Sequence, residues 1–162
     1  MTGSLRRPAV PAAVIALLCF GLAVAVVALV GGLAAATSGQ QYAAYVQPPW
    51  APPSWLFGPV WTVLYVLIAL SGWLVWRRAG LIRPAHVVYG AQLLLNMGWT
   101  PLFFGAGLVG LAFAEIVVLW AAIVATIFLF GRIDRLAGWL LVPYLAWVSF
   151  AAALNMAIWV LN

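Results

Sequence analysis

Five long apolar stretches constrain what this chain can fold into. Each has about 21 to 26 residues and contains no Arg, Lys or Asp: 9–33, 55–76, 84–104, 107–130 and 136–161. A helix of about 20 apolar residues crosses the roughly 30 Å hydrocarbon core of a bilayer. The pattern predicts an all-α integral membrane protein, in which residues 1–162 form a single domain built as a bundle of five transmembrane helices.

The composition supports the same class. Of the 162 residues, 68% are hydrophobic and 6% are charged, whereas soluble domains are about 25% charged. A soluble fold of this size could not cover so much apolar surface. The first stretch follows Arg6 and Arg7, as the core of a secretory signal would. It exceeds the roughly 7–15 apolar residues of a signal, so we expect it to be retained as a span.

The arginines predict the orientation of the bundle. All seven basic residues lie before the first stretch, between the second and third, or between the fourth and fifth: Arg6, Arg7, Arg77, Arg78, Arg83, Arg132 and Arg135. By the positive-inside rule the N-terminus and both arginine loops are cytoplasmic, and Asn162 lies outside. Because topology explains the net charge of +5, no nucleic-acid partner is expected. Asp134 is expected to cap the start of the fifth span.

Few residues are suited to metal binding or catalysis. The chain has one cysteine, Cys19, and one histidine, His86, which excludes a disulfide framework and a metal centre of several histidines or thiols. No nucleophile–histidine–acid set, carboxylate pair or phosphate loop can be assembled. We therefore expect no metal, no cofactor and no catalytic residues.

The segment 34–54, between the first two predicted spans, is unusual. It carries no charge, and the sequence from 39 to 55 reads GQQYAAYVQPPWAPPSW. Loops of about 20 residues are usually functional lids or disordered, and prolines and aromatic side chains favour order here. We interpret the segment as a lid-like loop. The alternative is an interfacial anchor, a role that Trp50 and Trp55 could fill alone.

A polar and aromatic stripe marks the third predicted span. Gln92, Asn96, Trp99 and Phe103 fall within an arc of about 60° on a helix. At 1.5 Å per residue, Asn96 lies about 12 Å from the non-cytoplasmic end and Trp61 about 10 Å, while Trp147 and Ala151 are nearer the midplane. These residues gather beneath the loop, as in a covered pocket, although hydrogen bonding between helices would also explain the stripe.

Glu115 is the only acid inside a predicted span. An acid within a membrane is a candidate functional site, here for proton transfer. A protonated glutamate that joins two helices by a hydrogen bond would give the same sequence, and both interpretations stand.

Several motifs resemble the TspO/MBR family, the translocator proteins also called tryptophan-rich sensory proteins. They are Tyr42 with QPPWAPP at 47–53, FGPVWTVLY at 57–65, QLLLNMGWTPLFFG at 92–105 and LVPYLAWVSFAAALN at 141–155. The motifs occur in order and cover the chain from the first loop to its end. The first span matches only in position and character.

The resemblance implies a five-helix bundle, often a homodimer, whose pocket is closed by the first loop and binds porphyrins. Some members also bind sterols and synthetic ligands of the benzodiazepine-receptor type. The ligand-binding positions carried over are Tyr42, Trp61, Asn96, Trp99, Trp147 and Ala151. Trp61 and Trp147 match tryptophans linked to light-dependent porphyrin degradation in bacterial members. The resemblance further implies an integral protein of a bacterial cell membrane.

Some positions depart from the family pattern. Gln41 and Gln47 stand where members often have Trp and Lys, and Glu115 replaces a common aspartate. The C-terminal sequence LNMAIWVLN lacks the tyrosine and basic residue of the animal sterol-recognition pattern, which argues against sterol transport.

Three functions remain open on the sequence. The first is a receptor or carrier for porphyrins and related flat apolar ligands, with a sensory, regulatory or transport role in tetrapyrrole and stress metabolism. The second is a structural or regulatory membrane subunit that binds no ligand. The third is a small proton-coupled exporter that uses Glu115.

Overall fold

The computed structural model describes residues 9–37 and 39–162, which form helices and connecting loops without β-strands. Seven α-helices follow one another along the chain: α1 (Val10–Thr37), α2 (Gly39–Ala44), α3 (Phe57–Ala79), α4 (Arg83–Thr100), α5 (Val109–Ile133), α6 (Arg135–Leu140) and α7 (Val142–Leu161). A short 3₁₀ turn precedes α3, and a π-helical turn follows α4.

Four segments of the described residues are long and apolar enough to cross a membrane: Val10–Ala34, Ser54–Ala79, Val109–Ile133 and Arg135–Leu161. They correspond to the first, second, fourth and fifth predicted spans. The predicted span 84–104 corresponds to α4, which is not among the four. This helix is less apolar because it carries His86, Gln92 and Asn96.

Two prolines lie where a regular α-helix is interrupted. Pro101 lacks the N–H that would continue α4, and the chain passes into the π-helical turn Pro101–Gly105. Pro143 lies in the first turn of α7, directly after the break at Leu141 that separates α6 from α7. The fifth predicted span is therefore two helices instead of one continuous helix.

The long helices pack side by side in a ring. α1 packs against α3 and α4, α5 packs against α4, α6 and α7, and α3 closes the ring mainly against α6. Four side chains from α3, α5 and α7 have no exposed surface: Ile68, Ile123, Tyr144 and Ile158. Lipid tails are as apolar as these side chains, so the helices associate through close packing and interhelical hydrogen bonds.

Polar contacts fasten α3 to the start of α6. Ser71 Oγ donates to the Ala137 carbonyl at 2.7 Å, and Arg78 pairs with Asp134 at 2.9 Å. The Asp134 carboxylate also accepts from the N–H groups of Leu136 and Ala137, which confirms the predicted cap. Burial alone would raise the pKa of Asp134, but these hydrogen bonds and the Arg78 charge hold it below its usual range.

The α5–α6 crossing gives a prediction about stability. A Cβ at Gly138 would lie 3.0 Å from Gly131 Cα and 3.1 Å from the Ile127 carbonyl oxygen, whereas a Cβ at Gly131 meets nothing within 4 Å. We expect Gly138→Ala to lower the free energy of unfolding by about 1–3 kcal/mol, because two backbones must separate. Gly131→Ala is the matched control and should not destabilise the protein. Thermal unfolding in detergent tests this prediction. Equal losses of stability in the two variants would contradict the close contact between α5 and α6 at Gly138.

Candidate functional site

A cavity of about 390 Å³ lies between α1, α3, α4 and α7. It is placed toward the N-terminal end of α3, away from the arginines that follow Trp76. Its lining comprises Ala28, Gly31, Gly32, Tyr42, Ser54, Phe57, Gly58, Trp61, Thr62, Tyr65, Trp99, Thr100, Phe104, Trp147 and Ala151. No charged side chain of the described residues is among them, so the cavity is suited to an apolar ligand.

The helix arrangement explains why the cavity forms there. α3 packs more extensively on α6 than on α7, because Ser71 and Arg78 hold its C-terminal half against α6 and the Asp134 cap. The N-terminal half of α3 makes little contact with α7, and aromatic side chains extend across the space between them.

Aromatic rings form most of the wall. Trp61 stacks on Tyr65 with ring centroids 5.1 Å apart and planes inclined by 29°. Phe57, one turn before Trp61, meets Trp147 of α7 edge-on at 5.8 Å. On α4, Trp99 meets Phe104 edge-on at 5.9 Å. Stacked and edge-on ring pairs therefore make up this part of the wall.

The structure brings five of the six predicted ligand-binding residues to this cavity: Tyr42, Trp61, Trp99, Trp147 and Ala151. Asn96 lies behind the wall. Its Oδ1 accepts from the Tyr65 hydroxyl, and its Nδ2 donates to the Tyr144 hydroxyl, both at 3.1 Å. Asn96 therefore fixes the orientation of Tyr65, which does line the cavity.

Trp99 has a hydrogen bond of its own. Its indole N–H donates to Asn155 Oδ1 at 3.2 Å, and Asn155 Nδ2 donates to the Val109 carbonyl at 2.9 Å. This chain of bonds joins α4, α7 and the first residue of α5. The polar stripe of α4 therefore provides interhelical hydrogen bonds as well as one wall of the cavity.

Several lining residues were not predicted from the sequence. Phe57 and Tyr65 lie one turn before and one turn after Trp61, so the i, i+4, i+8 spacing of three aromatics on α3 was a usable signal. Gly31 and Gly32 of α1 also line the cavity. No polar or aromatic residue marks that stretch of the first span, so its contribution had no comparable signal.

The segment predicted as a lid-like loop contains the short helix α2, with Tyr42 buried against Phe57 and Phe104. Two hydrogen bonds tie the loop to the end of α7: Val46 N–H donates to Asn162 Oδ1 at 3.0 Å, and Asn162 Nδ2 donates to the Val46 carbonyl at 3.2 Å. Trp50 and Trp55 are exposed, as an interfacial anchor would be.

The remaining candidate residues lie away from the cavity lining. Glu115 is half-buried on α5, and neither carboxylate oxygen has a hydrogen-bond partner among the described residues. His86 Nδ1 accepts from the Ile82 N–H at 3.0 Å, and its ring lies beside Phe20. Cys19 is exposed on α1.

These features define a class: a multi-pass α-helical membrane protein whose helices enclose an aromatic cavity. The chain belongs to the TspO/MBR family, whose sequence model matches residues 16–160. This membership supports a receptor or sensory role in a membrane.

The chain is similar to several members of that family. It is 40% identical to the tryptophan-rich protein TspO of Chlorobaculum tepidum over 159 residues, covering 90% of this chain and 94% of that protein. It is 39% identical to the human translocator protein over 122 residues, covering 73% and 72%. It is also 40% identical to the tryptophan-rich sensory protein of Cereibacter sphaeroides over 116 residues, covering 72% and 73%.

Proposed function

We propose that this protein is a membrane receptor or carrier for porphyrins and related flat apolar ligands, with a sensory, regulatory or transport role in tetrapyrrole and stress metabolism. The observation that carries the proposal is the aromatic lining of one cavity by Trp61, Trp99, Trp147 and Tyr42. Stacking on an aromatic face contributes about 1–3 kcal/mol per ring system. A flat macrocycle offers both of its faces to such walls.

The cavity's size and chemistry are those of a site for an apolar small molecule. Its volume of about 390 Å³ lies within the roughly 300–1,000 Å³ of small-molecule sites. Five lining residues carry a hydroxyl group: Tyr42, Ser54, Thr62, Tyr65 and Thr100. Since no arginine among the described residues lines the cavity, the propionates of a porphyrin would have to extend toward water or the loop.

Ligand-dependent unfolding tests the proposal. A ligand that binds only the folded state raises the unfolding temperature as its concentration rises. We expect metal-free protoporphyrin to stabilise the purified protein in this way and to have much less effect on Trp61→Leu, each measured against its own ligand-free baseline. No stabilisation of the wild type would favour the structural or regulatory subunit.

A proton-coupled exporter is the second candidate function. It is favoured by the carboxylate of Glu115, which has no hydrogen-bond partner among the described residues. Proton-coupled flux in liposomes separates it from a receptor. Flux that is lost in Glu115→Gln would support the exporter, and unchanged flux would remove Glu115 from the mechanism.

The proposed topology has five spans, with α4 and the π-helical turn as the third. Arg77 and Arg78 end α3, and Arg132 and Arg135 lie on either side of the α5–α6 junction. Arg6 and Arg7 lie outside the described residues. Five crossings place all seven arginines on one side, which the positive-inside rule makes cytoplasmic.

A topology reporter gives a direct prediction. With five spans and a cytoplasmic N-terminus, a reporter fused after Asn162 should lie outside the cytoplasm. Alkaline phosphatase fused there should be active, and a fluorescent protein that matures only in the cytoplasm should be dark. The opposite pair of results would contradict the five-span arrangement.

A further inference from the structure

α1 and α3 are held tightly together at one end. The Trp73 indole N–H donates to the Ala13 carbonyl at 2.8 Å. Close by, a Cβ at Gly72 would lie only 2.8 Å from the Phe20 ring. No substituent larger than hydrogen fits at Gly72 without moving that ring. The two antiparallel helices are therefore in close contact over the half of the pair that contains these residues.

The other end of the same helix pair is open. Gly32 of α1 and Gly58 and Thr62 of α3 line the cavity and are exposed. A Cβ at Gly32 or Gly58 would meet nothing within 4 Å. The cavity wall formed by these two helices is thus interrupted where both carry glycine.

The opposite walls are closed. Tyr42 of α2, Trp99 of α4 and Ala151 of α7 line the same cavity and are buried. The exposed lining residues belong to α1, to α3 or to the turn just before α3: Gly32, Ser54, Gly58 and Thr62. Access to the interior of the cavity is therefore concentrated on the α1–α3 side. We call this opening, framed by Gly32, Gly58 and Thr62, the α1–α3 opening.

The surface beside the α1–α3 opening is apolar. Leu29 of α1 and Val63 and Val66 of α3 are more than half exposed, and both helices belong to segments long and apolar enough to cross a membrane. Side chains of this kind are stable against lipid and unfavourable in water. The α1–α3 opening therefore faces the acyl chains of the bilayer.

We propose that ligands reach the cavity sideways from the bilayer through the α1–α3 opening, which admits flat apolar molecules already dissolved in the membrane. This proposal rests on the proposed function only for the identity of the ligand. The glycines provide the width of the passage, and Tyr42, Trp99 and Ala151 close the other sides.

Filling the opening tests the route of entry. The double variant Gly32→Leu/Gly58→Leu narrows the passage, and a Cβ at either position would meet nothing within 4 Å. Gly21→Leu is the matched control, because a Cβ there also meets nothing within 4 Å and Gly21 lies outside the cavity lining. A higher barrier to passage slows both entry and exit, here by about tenfold or more. Because Gly32 and Gly58 also line the cavity, a slower exit alone is not the signature: a change confined to the binding site would alter chiefly the exit rate and with it Kd, and that outcome would contradict the proposal. Stopped-flow transfer of metal-free protoporphyrin from liposomes measures both rates.

Unchanged rates in the double variant would overturn the proposal and would favour entry past the loop at 45–53. A change in the Gly21→Leu control as large as that in the double variant would also overturn it.

A second measurement needs no ligand, so it keeps the proposal separate from porphyrin binding. A nitroxide attached at Gly58→Cys, in a Cys19→Ala background, reports which medium reaches the opening. Collisions with lipid-soluble oxygen should exceed those with a water-soluble nickel complex. A nickel-dominated signal would overturn the bilayer route, whereas failure of porphyrin to bind wild type would count against the proposed function alone.

Discussion

Replacing Trp147 by alanine is expected to weaken porphyrin binding by about five- to thirtyfold, because loss of one stacking face costs roughly 1–2 kcal/mol. Trp147 lines the cavity and touches Phe57 and Phe150. It is only half-buried, so the fold should tolerate its removal. Equilibrium titration with metal-free protoporphyrin, together with thermal unfolding, measures both quantities.

Trp139→Ala is the matched control for this experiment. Trp139 is 69% exposed and does not line the cavity, so its removal should leave affinity unchanged. If Trp147→Ala lost stability and affinity in equal measure, the tryptophan would be a packing residue and the ligand-binding role would be contradicted.

The largest loss of stability is expected from Asn96→Leu. This change leaves the Tyr65 hydroxyl without its acceptor and the buried Tyr144 hydroxyl without its donor. An unsatisfied buried polar group costs about 1–3 kcal/mol, so we expect the free energy of unfolding to fall by about 2–4 kcal/mol. Unfolding in mixed detergent micelles measures it, and Tyr65→Phe, which removes one of the two bonds, should cost about half as much.

Gln92→Leu is a stringent control on the same stripe. Gln92 is buried, but neither its Nε2 nor its Oε1 has a hydrogen-bond partner among the described residues. Its replacement by leucine removes an unsatisfied group and should leave stability unchanged or higher. If Gln92→Leu were as damaging as Asn96→Leu, the hydrogen bonds of Asn96 would not be what stabilises the bundle.

The positions of the long helices could be predicted because lipid imposes a minimum length on apolar stretches. The predicted spans 9–33 and 107–130 lie close to α1 and α5. The break at Leu141 was not predicted, since Pro143 in an uninterrupted apolar run is equally compatible with a bend. The short helix α2 was also missed, because its six residues carry no periodic pattern.

The candidate site was predictable where unusual residues mark it. Tryptophan and asparagine in a span are rare enough to be noticed, and Trp61, Trp99 and Trp147 do line one cavity. Whether a residue lies in the lining or behind it depends on side-chain direction and helix rotation. That distinction separates Asn96 from Tyr65, and sequence spacing alone does not resolve it.

The opening between α1 and α3 could not be predicted for a related reason. A glycine in an apolar span can permit close packing, as at Gly72, or leave a gap, as at Gly32 and Gly58. The three residues look alike in the sequence. Only the position of the neighbouring helix distinguishes them.

We propose that the aromatic cavity recognises a flat macrocycle by stacking, without metal coordination. His86 and Cys19, the chain's single histidine and cysteine, lie outside the cavity lining. The most direct test is an equilibrium titration of the purified protein in lipid nanodiscs with metal-free protoporphyrin and, in parallel, with haem. We expect saturable binding of the metal-free macrocycle at least as tight as that of haem, and no change of either affinity in His86→Ala or Cys19→Ala. Binding that does not saturate, or a haem spectrum with axial histidine or thiolate ligation that either substitution abolishes, would contradict it.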